Sequence, residues 1–148
     1  MEAKRQDLMT SAGLLILRLG VGGFMLTHGW GKLQMVFGGE FDKFGDPLGI
    51  GTTLSLLGAT AAEFFCALLV MAGFATRFAA APIVFTMAVA AFGVHANDPW
   101  TMGQGASKEP ALLYMTPFLA LIFTGAGKFS VDGLIWPWWR KRRAQRAG

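Results

Sequence analysis

Leu8–Trp30, LMTSAGLLILRLGVGGFMLTHGW, is an apolar run interrupted by one charge, Arg18. A helix needs about 20 mostly apolar residues to cross roughly 30 Å of hydrocarbon, rising about 1.5 Å per residue, and this run is long enough. Thr52–Thr76, TTLSLLGATAAEFFCALLVMAGFAT, repeats the pattern with Glu63 as its one charge. A charged side chain at mid-bilayer costs roughly 2.5–3.5 kcal/mol on insertion scales, so it is kept where it faces a protein interior or a wet cavity. The two runs predict a bundle with a polar interior.

Outward from these, Phe78–Ala96 and Pro110–Ala126 are further apolar stretches, the last being the shortest. The chain therefore reads as all-α, a four-transmembrane-helix bundle with spans at about 8–30, 52–76, 78–96 and 110–126, forming one integral membrane domain over 1–148. Composition agrees, with 53% hydrophobic residues, 15% charged residues and 20 glycines, which is the balance of a membrane protein rather than a water-soluble one. Lys4 and Arg5 precede the first run as they would in a secretion signal. That run is too long for a signal core, and Thr27-His-Gly-Trp30 offers no small-residue cleavage site, so it reads as a retained anchor.

Four spans place both termini on one side. That side receives Lys4, Arg5, Arg77, Lys128 and the basic tail at 140–148 with Arg140, Lys141, Arg142, Arg143 and Arg146; the other receives Lys32, Lys43 and Lys108. The excess predicts cytoplasmic termini by the positive-inside rule. A pI near 9.6 also invites a nucleic-acid reading, but Trp136, Trp138 and Trp139 stand directly before the basic cluster, and Trp followed by cations at a span's end fits lipid headgroups. Membrane lipid, not nucleic acid, is the expected partner of the tail.

Short interfacial elements are expected in the first outer loop and after the fourth span. In Leu33–Gly51, Phe41, Phe44 and Leu48 recur at +3 and +7, which predicts an amphipathic turn lying on the membrane or capping the bundle and ended by Gly45-Asp-Pro47, with a solvated loop as the alternative. Ala75-Thr-Arg77 is a tight hairpin that makes spans two and three antiparallel neighbours. Gly125-Ala-Gly-Lys128 breaks the fourth helix, and Ser130 is placed to cap a short turn through Asp132 and Ile135.

Arg18 lies about 15 Å of helical rise from the inner end of span one and Glu63 about 16 Å from the outer end of span two. Equal depth predicts a buried Arg18–Glu63 ion pair. Ser11, Arg18, Gly22, Met25, Gly29 and Lys32 share one arc of span one; Ser55, Ala59, Thr60, Glu63, Cys66 and Ala67 share a side of span two. Such a pair either locks two helices together or serves a ligand, with Arg18 holding a carbonyl or anion and Glu63 relaying a proton.

His28, Lys32, His95 and Glu109 all fall at the outer ends of spans and are expected to form a polar mouth there. Three readings fit the histidines. They are water-bonded interfacial residues, proton-exchanging groups at a quinone-type site, or ligands to a haem from facing helices, in that order of preference, because no further axial or propionate-binding pattern accompanies them. No HxxxH or ExxH spacing supports a metal site. Cys66 is the single cysteine, which removes an internal disulfide or CxxC exchange centre. Gly20-Val-Gly-Gly23 and Gly125-Ala-Gly-Lys128 follow no strand and complete no phosphate-binding pattern.

In order, Leu17-Arg-Leu-Gly20, Thr27-His-Gly-Trp-Gly-Lys32, Ala62-Glu63, Gly73-Phe-Ala-Thr-Arg77, His95, Glu109 and Gly125-Ala-Gly-Lys-Phe-Ser-Val-Asp132 resemble the DoxX family. The likeness runs from Leu15 to Asp132. It implies a four-span bundle of the prokaryotic cytoplasmic (inner) membrane, with Arg18, His28, Lys32, Glu63, Arg77 and His95 as the matching polar positions. Members and relatives of that family are associated with quinone-linked thiosulfate or sulfide oxidation, with complexes that handle thiols and oxidative stress, and with assembly of other proteins. With Cys66 alone, any sulfur redox centre belongs to a redox partner protein or a substrate. The expected function is a quinone-binding or redox-associated subunit of an oxidoreductase system, able to form homo-oligomers; the alternative is a non-catalytic scaffold or assembly factor.

Overall fold

The computed structural model describes residues 1–103 and 105–135. Every regular element among them is helical. Helix α1 runs over Glu2–Phe37, α2 over Thr52–Ala72, α3 over Thr76–Val94 and α4 over Glu109–Thr124, and a short α5 spans 131–135. The first three are long and apolar enough to cross a membrane, and α4 is a shorter apolar helix of 16 residues. A 3₁₀ turn, Phe41–Lys43, lies in the first loop. Both short elements expected from the sequence are therefore present, whereas the basic tail at 140–148 and the tryptophans before it lie outside the described residues.

The helices form a closed ring in which α1 packs on α2, α2 on α3 and α3 on α4, with lesser contacts between α4 and α1. Met25, Ala67, Val70, Ile83, Met87, Phe118 and Leu121 meet in the centre. Outside, large apolar side chains such as Phe24, Phe65, Phe78, Phe85 and Phe123 are exposed. A water-soluble monomer rarely presents so continuous an apolar surface; hydrocarbon is its natural solvent.

The inward arc of α1 is the one the sequence predicts: Ser11, Arg18, Gly22, Met25 and Gly29 are its buried residues. Gly22 and Gly29 are small because α2 comes close. A Cβ on Gly29 would stand 2.5 Å from the backbone C and O of Glu63, and one on Gly22 would stand 2.5 Å from the Met71 side chain. These two contacts fix the antiparallel register, setting Gly29 beside Glu63 and Gly22 beside Met71.

That register corrects the predicted ion pair. Arg18 lies eleven residues before Gly29, about 16 Å down the helix from Glu63. It meets the C-terminal end of α2, where its guanidinium donates through Nη1 to the carbonyls of Val70 at 3.2 Å and Met71 at 3.0 Å, and through Nη2 to Phe129 at 2.5 Å. Distance along an apolar run measures depth only where the packed helix begins with that run. In fact α1 begins at Glu2, and its first turns extend beyond the end of α2.

A second set of bonds closes the same end. Gly73, at φ +71°, ends α2 in a left-handed turn closed by Phe74 N–H to Leu69 O at 2.9 Å. Asp132 donates its N–H to Gly73 O at 2.8 Å, while its carboxylate accepts from Ala75 N–H at 2.7 Å and Thr76 N–H at 3.0 Å, at the positive end of α3. Ser130 caps α5 by accepting from Gly133 N–H at 2.9 Å, as its position in the sequence predicts. Arg77 donates to Phe123 O at 3.1 Å in the last turn of α4.

Gly29→Ala should lower stability in detergent by about 1–3 kcal/mol, because the added methyl meets backbone that cannot rotate away. Arg18→Met should cost about 2–4 kcal/mol, since the carbonyls of Met71 and Phe129 lose a donor and that of Val70 keeps only Gly73 N–H. Denaturant titration of the purified protein followed by circular dichroism measures both.

Candidate functional site

Between Ala61 and Cys66 the backbone of α2 widens into a π-helical turn, and a second such turn, Ala90–Val94, ends α3. Turns of this kind recur at functional sites because they swing side chains out of the regular helical phase. Here the first one carries Glu63. It is also where α2 leans on α3, for the preceding stretch Thr52–Thr60 makes few contacts with α3. The two helices therefore diverge like the sides of a wedge.

A cavity of about 370 Å³ fills the wedge. One wall is Leu54, Ser55, Gly58, Ala59 and Ala62 of α2; the other is Pro82, Phe85, Thr86, Val89, Ala90 and Val94 of α3. Phe44, Pro47, Leu48 and Ile50 of the first loop form the roof. The loop therefore takes the capping role, with Phe44 and Leu48 of the predicted amphipathic turn facing the cavity.

Lys32 and Glu63 are the charged residues lining this space. Lys32 Nζ lies 2.5 Å from Glu63 Oε2, with the lysine side chain 21% exposed and the glutamate 4%. Lys32 reaches Glu63 because it stands one turn beyond Gly29 on the same face of α1, and Gly29 is pressed against the Glu63 backbone. An ammonium carries three donors, so beyond its bond to Glu63 Lys32 can still serve an acceptor in the cavity.

The roof is held by Asp46, which sequence reading did not single out. Its carboxylate accepts from Gly51 N–H at 2.7 Å, Ile50 N–H at 3.0 Å and Ser55 Oγ at 2.8 Å, just where α2 begins. The hydrogen bond from Gly51, helped by those from Ser55 and Ile50, holds its pKa below the usual aspartate value. Asp before a Pro-Leu-Gly turn and a Thr-Thr helix start was the available signal.

The remaining site candidates do not join a common mouth. His28 is exposed and packs in a T-shaped arrangement with Tyr114, the ring centroids 5.3 Å apart. His95 Nδ1 lies 2.7 Å from Asp98 Oδ2, and Glu109 Oε2 accepts from Met102 N–H at 2.5 Å. Each of the three is turned to a local partner, and only Lys32 lines the cavity with Glu63. The second loop is instead gathered around Lys108, a buried lysine that donates to Ala96 O at 2.8 Å and Asp98 O at 2.6 Å beneath the Trp100 ring. Nothing in the sequence set Lys108 apart from any other loop lysine. Cys66 is a half-buried free thiol.

Residues 13–96 match the family model described as DoxX. The chain belongs to the DoxX family. The matched segment contains every residue lining the cavity, from Lys32 to Val94, together with the Gly29 contact that positions the ion pair. An uncharacterized protein of Haemophilus influenzae is 31% identical over 137 residues, covering 90% of each chain. No solved structure matches this DoxX chain.

Lys32→Met should cost about 3–5 kcal/mol by leaving Glu63 buried without its partner, and adding Glu63→Leu should restore most of the loss; the pair of denaturation curves separates a lock from a mere charge requirement. Asp46 has its pKa depressed by folding, so its hold on the roof is complete above the unfolded aspartate value of about 3.9 and is lost as pH falls through the lower folded value. Hydrogen exchange at Ile50 and Gly51 should therefore accelerate only in strongly acid solution, and at neutral pH in Asp46→Ala.

Proposed function

We propose that this DoxX protein binds a quinone or a similar small apolar molecule in the wedge between α2 and α3, as the membrane component of an oxidoreductase system whose electrons come from a partner protein. The observation that carries the reading is a cavity with apolar walls and one ion pair. Ligand sites commonly combine an apolar lining with a few placed polar groups, and about 370 Å³ falls in the lower part of their usual range of about 300–1,000 Å³. A bound quinone supplies electron-accepting carbonyls. Lys32 donates a hydrogen bond to one of them, and Glu63 orients Lys32 and holds or delivers a proton. Arg18 donates through Nη1 and Nη2 to backbone carbonyls of Val70, Met71 and Phe129, away from the cavity, and acts as a structural clamp.

The excess of Lys and Arg on the side of both termini supports an inner-membrane protein with cytoplasmic ends, which would open the cavity toward the outer half of the bilayer. Accessibility of single cysteines introduced at Glu2 and Asp42, in a Cys66→Ala background, tests that orientation.

After gentle extraction, the purified protein is expected to retain quinone detectable by mass spectrometry, and Glu63→Gln is expected to reduce the retained fraction about tenfold, the equivalent of about 1.4 kcal/mol. Retention unaltered by Glu63→Gln would remove Glu63 from the site.

A further inference from the structure

We infer that the cavity is loaded sideways from the lipid, through the seam between α2 and α3, and that its ligand is a tailed molecule whose head group lies at Lys32–Glu63 while its isoprenoid or acyl chain remains in the bilayer. This rests on the proposed binding role and adds a route and a ligand class to it.

Three observations converge. First, the water side is spanned. Asp46 ties the roof to α2 through Ser55, and Pro47 reaches α3, where a Cβ on Gly93 would stand 3.5 Å from the Pro47 ring. Second, the lipid side is open. Gly58 has no side chain to fill the seam, and a Cβ placed there meets nothing within 4 Å. Leu54 and Phe85, which flank it on the two helices, are 60% and 59% exposed although both line the cavity. Third, the enclosed volume suits a head group but not a long chain as well. A tail gains nothing from protein walls that hydrocarbon does not already give it, since lipid chains are as apolar as leucine side chains. The fold therefore needs to build only the polar end of the site, and a doorway for the rest.

The test compares two probes on the full-length protein in lipid nanodiscs: decyl-ubiquinone and its tailless ring, 2,3-dimethoxy-5-methyl-benzoquinone. Relative to the concentration added in water, the tailed probe is expected to bind about tenfold or more tighter than the ring, because its tail concentrates it in the lipid that feeds the cavity. Gly58→Trp, which plugs the seam into open space, should bring the tailed-to-ring affinity ratio close to one, and Leu54→Trp, from the same wall, should act in the same direction if the first variant fails to accumulate. Lys32→Met should weaken both probes alike and leave the ratio unchanged. A ratio that is the same in wild type and both plugged variants overturns lateral loading while leaving the cavity reading intact. Failure of wild type to bind either probe overturns the cavity reading and the inference with it. A wild-type dimer that Gly58→Trp dissociates, with the ratio unchanged, assigns the seam to a second copy of the chain and also overturns the inference.

Discussion

The close approach of α1 to α2 at Gly29 is the contact on which the rest of the molecule depends. With hydrogen as its side chain, Gly29 lets the backbone of Glu63 come within a distance that any other residue would prevent. Once that height is set, Lys32 falls beside the Glu63 carboxylate and Arg18 falls beside the last carbonyls of α2. Each charge is then satisfied in a different way. Lysine and glutamate neutralise each other next to a cavity, whereas the guanidinium is spread over the carbonyls of Val70 and Met71 at the end of α2 and of Phe129 beyond α4.

The two ends of the bundle consequently have different character. Arg18, Asp132 and Arg77 each bind backbone distant in sequence, and Ser130 caps the short α5 beside them. At the opposite end, α2 and α3 separate above a widened helical turn, and a loop bridges the gap rather than a helix. Rigidity at one end holds the angle between the helices, and that angle sets the space at the other. Sites need such a division, because a cavity is stable only when its walls are fixed elsewhere.

Much of this was legible in the residues. The inward arc of α1, the hairpin at Ala75–Arg77 and the Ser130 cap each follow from spacing or from turn chemistry acting over a few residues, whereas the spacing of Phe44 and Leu48 left open whether they lie on the membrane, cap the bundle or belong to a solvated loop. The partner of Arg18 did not follow, because hydropathy marks where an apolar run begins and not where a helix starts to pack. A buried arginine also has more ways to be satisfied than a carboxylate, since carbonyls alone can serve it. His28, His95 and Glu109 were placed near the right helix ends, yet their neighbours are decided by the rotation of each helix about its axis, which a lone polar residue at a terminus does not specify. Asp46 and Lys108 act on backbone groups close by in sequence, and such roles leave a weak trace in composition.

The Arg18 network also bears on how the protein is made. Its acceptors lie 52, 53 and 111 residues further along the chain, so the guanidinium is synthesised long before the last carbonyl that receives it. While the ribosome is still producing the middle of the polypeptide, that cation must be sheltered by water, lipid phosphate or the insertion machinery. The segment that brings Phe129 and Asp132 is thus the keystone of assembly: until it docks, Arg18 lacks one of its three carbonyl partners.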